Sequence, residues 1–171
     1  RAVQQRLAKI GVIVRTFKDH VVFETEEVRG ATGEPLQRYS AYRARWWAKW
    51  QGGRPTPLTV PRLLTAEKAA SLPVPPPLPS ANDLGYEPMS LSIEPGERIA
   101  QKRLHRFVKG PIHAYITGRN LPAVDGSSIL SPRFRFGTLS ARAAVHAALA
   151  SLAQGRHVSR PDVFAWIDEL V

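Results

Sequence analysis

The chain has 171 residues, a formal net charge of +10 and no cysteine. That length can bury roughly 70% of the unfolded surface in one core, and the lack of thiols excludes disulfides and thiolate metal centres. Five histidines scattered without carboxylate spacing give no metal signature, no apolar run approaches a membrane span, and no signal peptide is visible. The expectation is a cytoplasmic protein without metal or membrane partner, whose basic surplus favours a polyanion.

Residues 3–10 read as a short helix with Leu7 and Ile10 on one side, stopped by Gly11. Val12, Ile13 and Val14 make a β-branched run of the kind found in buried strands, and Val21, Val22 and Phe23 suggest a second. A helix followed by such a strand suits the last unit of an α/β domain. Gly33 and Pro35 mark a turn. Between Tyr39 and Trp50 aromatic and basic residues interleave, with Tyr39, Tyr42 and Trp46 on one helical face and Arg43 and Trp47 on another. Stacking on nucleobases is one use of such a mixture; burial in a core is the other.

Residues 51–95 hold ten of the fifteen prolines, including those of the run from Pro73 to Pro79. Proline excludes a continuous helix and favours an extended path. The segment reads as an interdomain linker with one helical turn at residues 65–70; a ligand for an SH3-type groove is the lesser reading. Beyond Pro95, Leu104, Phe107, Val108, Ile112 and Tyr115 recur at helical spacing as one apolar stripe. Nine lysines and arginines against two acids lie between Glu97 and Arg142. They draw in a nucleic-acid backbone through counterion release, or merely solvate a helix face. Ser140 is placed to cap an Ala-rich helix with Val145, Leu149 and Leu152 inward and Gly155 at its end. Ser159 to Asp162 resembles a capping box with Pro161 in the first turn. It opens a last helix that buries Val163, Trp166, Ile167 and Leu170. That apolar face runs to the C-terminus, and the chain starts at Arg1 without Met; both are expected of a piece of a longer protein.

The most informative stretch is residues 115–137. Tyr115 and Arg119 stand one helical turn apart, Asp125 and Gly126 make a tight polar turn, and Ser127, Ser128 and Ser131 surround Leu130. Short hydroxyls and free amides at a helix start seat phosphate, and Gly126 permits close approach. The same residues also satisfy an ordinary helix cap with serine-rich turn chemistry. Arg119 equally suits a solvated helix end, where the macrodipole favours a cation.

Gly126 to Pro132, with Tyr115 and Arg119 ahead of it, resembles the flavin-binding segment of the DNA photolyase/cryptochrome family. There a Tyr, an Arg and a Gly-Thr/Ser-Ser-x-Leu-Ser-Pro run occur in this order and spacing. Glu94-Pro-Gly-Glu97 resembles the entry into the family's flavin domain, and Gly137-Thr-Leu-Ser140-Ala-Arg142 its next helix start. Phe17-Lys-Asp-His-Val-Val-Phe-Glu24 and Tyr39-Ser-Ala-Tyr42-Arg-Ala-Arg-Trp46 resemble the end of its N-terminal α/β domain. The resemblance implies an α+β fold overall. Residues 1–50 would end an α/β, Rossmann-like domain, 51–93 would be the Pro-rich linker, and 94–171 would begin the all-α FAD-binding domain. In the family the region matching residues 39–50 is a helix packed between domains, which implies burial of its aromatics.

The implied cofactor is FAD, held on its phosphate side by Tyr115, Ser127, Ser128, Leu130 and Ser131. Arg119 matches an arginine that contacts DNA phosphate near the lesion. The implied parent is a deoxyribodipyrimidine photolyase, splitting pyrimidine dimers in DNA with light. This chain would supply no catalytic residue, would need the remainder of the flavin domain as partner, and would be inactive alone. A cryptochrome-type photoreceptor and a basic, cofactor-free nucleic-acid-binding module are the alternatives. Two departures stand out: Ser127 where the family often has Thr, and Arg133 where an aromatic or small residue is common.

Overall fold

Thr65, Ser140 and Ser159 cap the starts of three helices through their side-chain oxygens. The computed structural model describes residues 2–18, 20–58, 65–74, 76–87, 93–153 and 158–171. They fall into two units, Arg1–Pro57 with Glu97–Val171, and Leu58–Gly96.

The larger unit begins with α1 (Ala2–Ala8), none of whose residues is buried. Gly11 takes a left-handed φ of 75° just after it, as the sequence suggests. No strand follows. Ile13 is 84% exposed, and residues 12–14 and 21–23 are irregular. A β-branched run becomes a strand only where a neighbour takes its N–H and C=O groups, and no such neighbour is present among the described residues. The described elements are therefore all helical, and the α/β part of the expected fold is absent from them. Val22 and Phe23 are buried without a strand, Phe23 lying edge-on to Trp46 with ring centroids 5.4 Å apart. A short 3-10 turn, Thr25–Glu27, follows.

Helix α2 (Tyr39–Gly53) settles the role of the aromatic cluster. Trp46 and Trp50 are buried and stack at 5.7 Å with their planes 4° apart. They are core residues, not base-stacking platforms.

In the smaller unit, α3 (Ala66–Ala70) is capped by Thr65, whose hydroxyl accepts from the Lys68 N–H at 3.4 Å. Asp83 accepts from both the N–H and the hydroxyl of Ser80, at 2.8 and 2.7 Å. Val74 and Leu78 in the proline run are each 93% exposed.

Back in the larger unit, α4 (Glu97–Lys109) buries Ala100, Leu104, Phe107 and Val108. The apolar stripe expected to continue as one helix breaks here. Pro111 has no N–H, and its ring conflicts with the carbonyl of Phe107 in an α-helix. A 3-10 turn, Pro111–Ala114, and the short α5 (Tyr115–Gly118) take its place. Ile112 and Tyr115 are nonetheless buried. The five-residue α6 (Ser131–Arg135) leads to α7 (Ala141–Ser151), where Ser140 accepts from the Ala143 N–H at 3.4 Å. The buried side of α7 is Ala141, Ala144, Val145, Ala148 and Ser151; Leu149 and Leu152 are only half-buried. Gly155 lies outside the described residues. Helix α8 (Arg160–Asp168) is capped by Ser159 and buries Val163, Trp166 and Ile167, with Leu170 half-buried.

The core lies between α4, α7 and α8, where Trp166 meets Phe107 at 5.3 Å. Helix α2 closes it, through Trp50 on His146 at 5.0 Å and Trp47 on Phe164 at 4.8 Å. Three groups of α2 converge on Asp168. The Tyr39 hydroxyl donates to its carbonyl at 2.8 Å, the Trp47 indole to its carboxylate at 2.9 Å, and Arg43 pairs with it at 2.7 Å. Among the described residues no helix is long and apolar enough to cross a membrane, and no group of acids and histidines could hold a metal.

Candidate functional site

Gly118 and Gly126 fix the shape of the loop between α5 and α6. A Cβ on Gly126 would stand 2.3 Å from the carbonyl carbon of Gly118, so the two backbones touch and only glycine fits. The close approach inferred at Gly126 is thus made to the chain itself.

Arg103 of α4 grips the next part of the loop. Its Nε–H donates to the Ser128 carbonyl at 3.0 Å and its Nη2 to Asp125 Oδ1 at 2.8 Å. Arg106 adds a longer contact to Asp125 Oδ2 at 3.8 Å. The bond from the Arg103 guanidinium to the Ser128 carbonyl contributes about 1.5–3 kcal/mol, and the half-exposed pairs with Asp125 less than about 1 kcal/mol. Arg103, Arg106, Phe107, Pro111, Asp125 and Ser127 line a small pocket beside the loop.

Beyond this grip the backbone bends sharply. Ile129 has a φ of 50°, a left-handed conformation that costs a β-branched residue roughly 1–2 kcal/mol. Leu130 follows in the right-handed region at φ −99°, ψ −7°. Successive residues of opposite hand turn their N–H groups toward one side, the arrangement that makes an anion-binding nest. Among the described residues the amides of Ile129, Leu130 and Ser131 meet no acceptor, and neither do the hydroxyls of Ser127, Ser128 and Ser131 meet a partner. The free amides expected at a helix start therefore belong to this bend. Helix α6 itself is only one turn long, and its Pro132 has no N–H to offer.

The residues singled out by sequence occupy different depths. Ser127 and Ser131 are exposed and Ser128 is half-buried. Leu130 is 1% exposed and anchors the loop in the core. Tyr115 is buried edge-on to Phe107 at 6.2 Å. The guanidinium of Arg119 lies 5.4 Å over the Tyr115 ring and pairs with Glu169 just past α8. The Tyr115 hydroxyl and the Glu169 carboxylate hold Arg119 above its ordinary pKa. Tyr115 and Arg119 thus form one cluster and the serines another, joined where Gly118 meets Gly126.

Two cations of the basic surplus are engaged with the protein itself, Arg133, already marked as a departure from the family pattern, and Arg103. Arg133 is buried, with its carbonyl accepting from the Thr138 and Leu139 amides at 2.9 and 3.3 Å. Arg103, half-buried, grips the loop. Arg98, Lys102, Arg106 and Lys109 do stand exposed along one face of α4.

No family model matches the chain. It is 31% identical over 174 residues to an uncharacterised 31.6 kDa protein of Synechococcus sp. PCC 6716, a match spanning 99% of this chain and 59% of that protein. It is 33% identical over 174 residues to a deoxyribodipyrimidine photo-lyase of Halobacterium salinarum, spanning 98% of this chain and 35% of that enzyme. The crystal structure of a bacterial class III photolyase from Agrobacterium tumefaciens matches 99% of the chain with a TM-score of 0.76 at 27% identity. The chain spans 35% of that structure's length, as it does of the Halobacterium enzyme.

Proposed function

The chain belongs to the DNA photolyase family, and from that premise we propose that it carries the phosphate-side half of a flavin seat. The observation that carries this reading is the bend at Ile129 and Leu130. Among the described residues it leaves the amides of residues 129–131 and the Ser127, Ser128 and Ser131 hydroxyls without partners, at the positions that resemble the family's flavin-binding run. Donors without acceptors, on a loop already held in shape, suit the pyrophosphate of FAD. Leu130 anchors that loop, and Tyr115 lies on the neighbouring turn.

In the proposed parent enzyme a pyrimidine dimer is flipped out of DNA and split by light. Reduced FAD supplies the electron for that chemistry when bound. The residues of this chain bind and orient its phosphates, and Arg119 meets a DNA phosphate. On the same reading residues 1–50 end an α/β domain, 51–93 form the linker, and 94–171 begin the FAD-binding domain. The chain alone is expected not to split dimers.

Fluorescence titration of the chain with FAD tests the seat. Saturable binding is expected, weakened about tenfold or more by Ser128→Ala with Ser131→Ala, because each lost bond to a charged group is worth on that order. Affinity unchanged in the double variant would return the serines to turn chemistry.

A further inference from the structure

We propose that Arg103 is the positioning residue of this seat: it holds the Ser128–Ile129 peptide so that the Ile129 N–H faces the anion. The proposal rests on the phosphate-seat reading and adds to it a residue from another helix.

The geometry of one peptide unit carries the argument. In a trans peptide the C=O and the following N–H point in opposite directions, and the chain has no cis bonds among its described residues. Arg103 Nε–H takes the Ser128 carbonyl at 3.0 Å, so that carbonyl is turned toward α4. The Ile129 N–H, on the other side of the same unit, is turned away from α4. That amide is the first of the three donors of the bend. The conformation it requires, φ 50° at a β-branched residue, is one the chain does not adopt by preference. Something outside the loop has to hold it, and among the described residues Arg103 is the side chain that reaches this peptide.

Part of the charge of Arg103 is already engaged: its Nη2 is taken by Asp125 at 2.8 Å, a carboxylate that Arg106 shares at 3.8 Å, so the anion feels that cation only in part. Arg103 acts chiefly through the peptide, at one remove from the ligand. A lysine keeps the charge but cannot present two donors in the planar fork that reaches Ser128 and Asp125 together.

The test is FAD titration of the full chain and three variants. Wild type is expected to bind, Arg103→Gln to bind about tenfold more weakly, and Arg103→Lys to resemble Arg103→Gln. Adding Ile129→Gly to Arg103→Gln is expected to restore affinity to within about threefold of wild type, since glycine takes a left-handed φ without help. Such a rescue cannot come from a chain that failed to fold. Wild-type affinity in Arg103→Gln overturns the proposal alone. So does full retention in Arg103→Lys without rescue by Ile129→Gly, which would mean that Arg103 acts by charge. No binding by the wild-type chain overturns the flavin seat and this proposal with it.

Discussion

Gly126 shows how a single hydrogen atom decides the loop. A methyl group there would meet the carbonyl carbon of Gly118 at 2.3 Å and its oxygen at 2.4 Å, and backbone cannot give way as a side-chain tip can. Gly126→Ala is expected to cost about 1–3 kcal/mol, as overpacking does, read as a lower denaturant midpoint at unchanged slope. Glu27 makes a second residue-scale prediction. Partial burial pushes its carboxyl up, but the Lys18 ion pair and the Glu24 N–H at 2.7 Å outweigh that and hold it below the ordinary carboxylate value. A depressed carboxyl stabilises the fold fully above its unfolded pKa and loses that contribution as pH falls through the folded value. Lys18→Gln should therefore raise the Glu27 titration midpoint measured by NMR. It should also lower stability near neutral pH, with the difference from wild type vanishing in acid.

At the scale of elements, Asp162 ties two helices together. Its Oδ1 accepts the Ile116 N–H at 2.6 Å, its other oxygen takes the Ser159 hydroxyl, and its own N–H completes the cap of α8. Asp162→Ala should cost about 1–3 kcal/mol, the sum of a weakened cap and an amide left without its acceptor, seen as a lower melting temperature. Asp162→Asn should retain part of it. Caps of this sort act within a few residues, which is why the starts of α7 and α8 could be placed from sequence alone. Residues 12–14 could not, because β-branching signals a strand only when something lies beside it. The stripe from Leu104 to Tyr115 gave the right buried residues but the wrong element, since Pro111 breaks the helix without turning its apolar side outward. Arg103 lay beyond local reasoning altogether. Its partners stand 22 and 25 residues away, and no spacing rule links a helix-face arginine to a distant carbonyl.

For the whole molecule, the contrast between the two units is the feature that matters. The larger has a core built from both sides of the chain, whereas residues 65–74 and 76–87 of the smaller are all exposed. Brief proteolysis should therefore cut first within residues 65–87, giving two pieces by mass spectrometry before α2, α4 or α7 is touched. First cuts inside those helices would mean that the core opens more readily than its burial indicates. The seat proposed for FAD lies wholly in the larger unit, so early cleavage in the smaller should leave flavin binding intact.

The meeting of α2 with Asp168 bears on the order in which this core assembles. Tyr39 and Trp47 reach it across 129 and 121 residues of chain, whereas α4, α5, α7 and α8 find one another over shorter spans. Joining such distant points costs chain entropy before any contact rewards it, so the α2 contacts form late, on a bundle that already exists. Contacts made after the folding barrier govern the rate of escape from the native state. Asp168 is thus a brake on unfolding, with little hold on how quickly the chain folds.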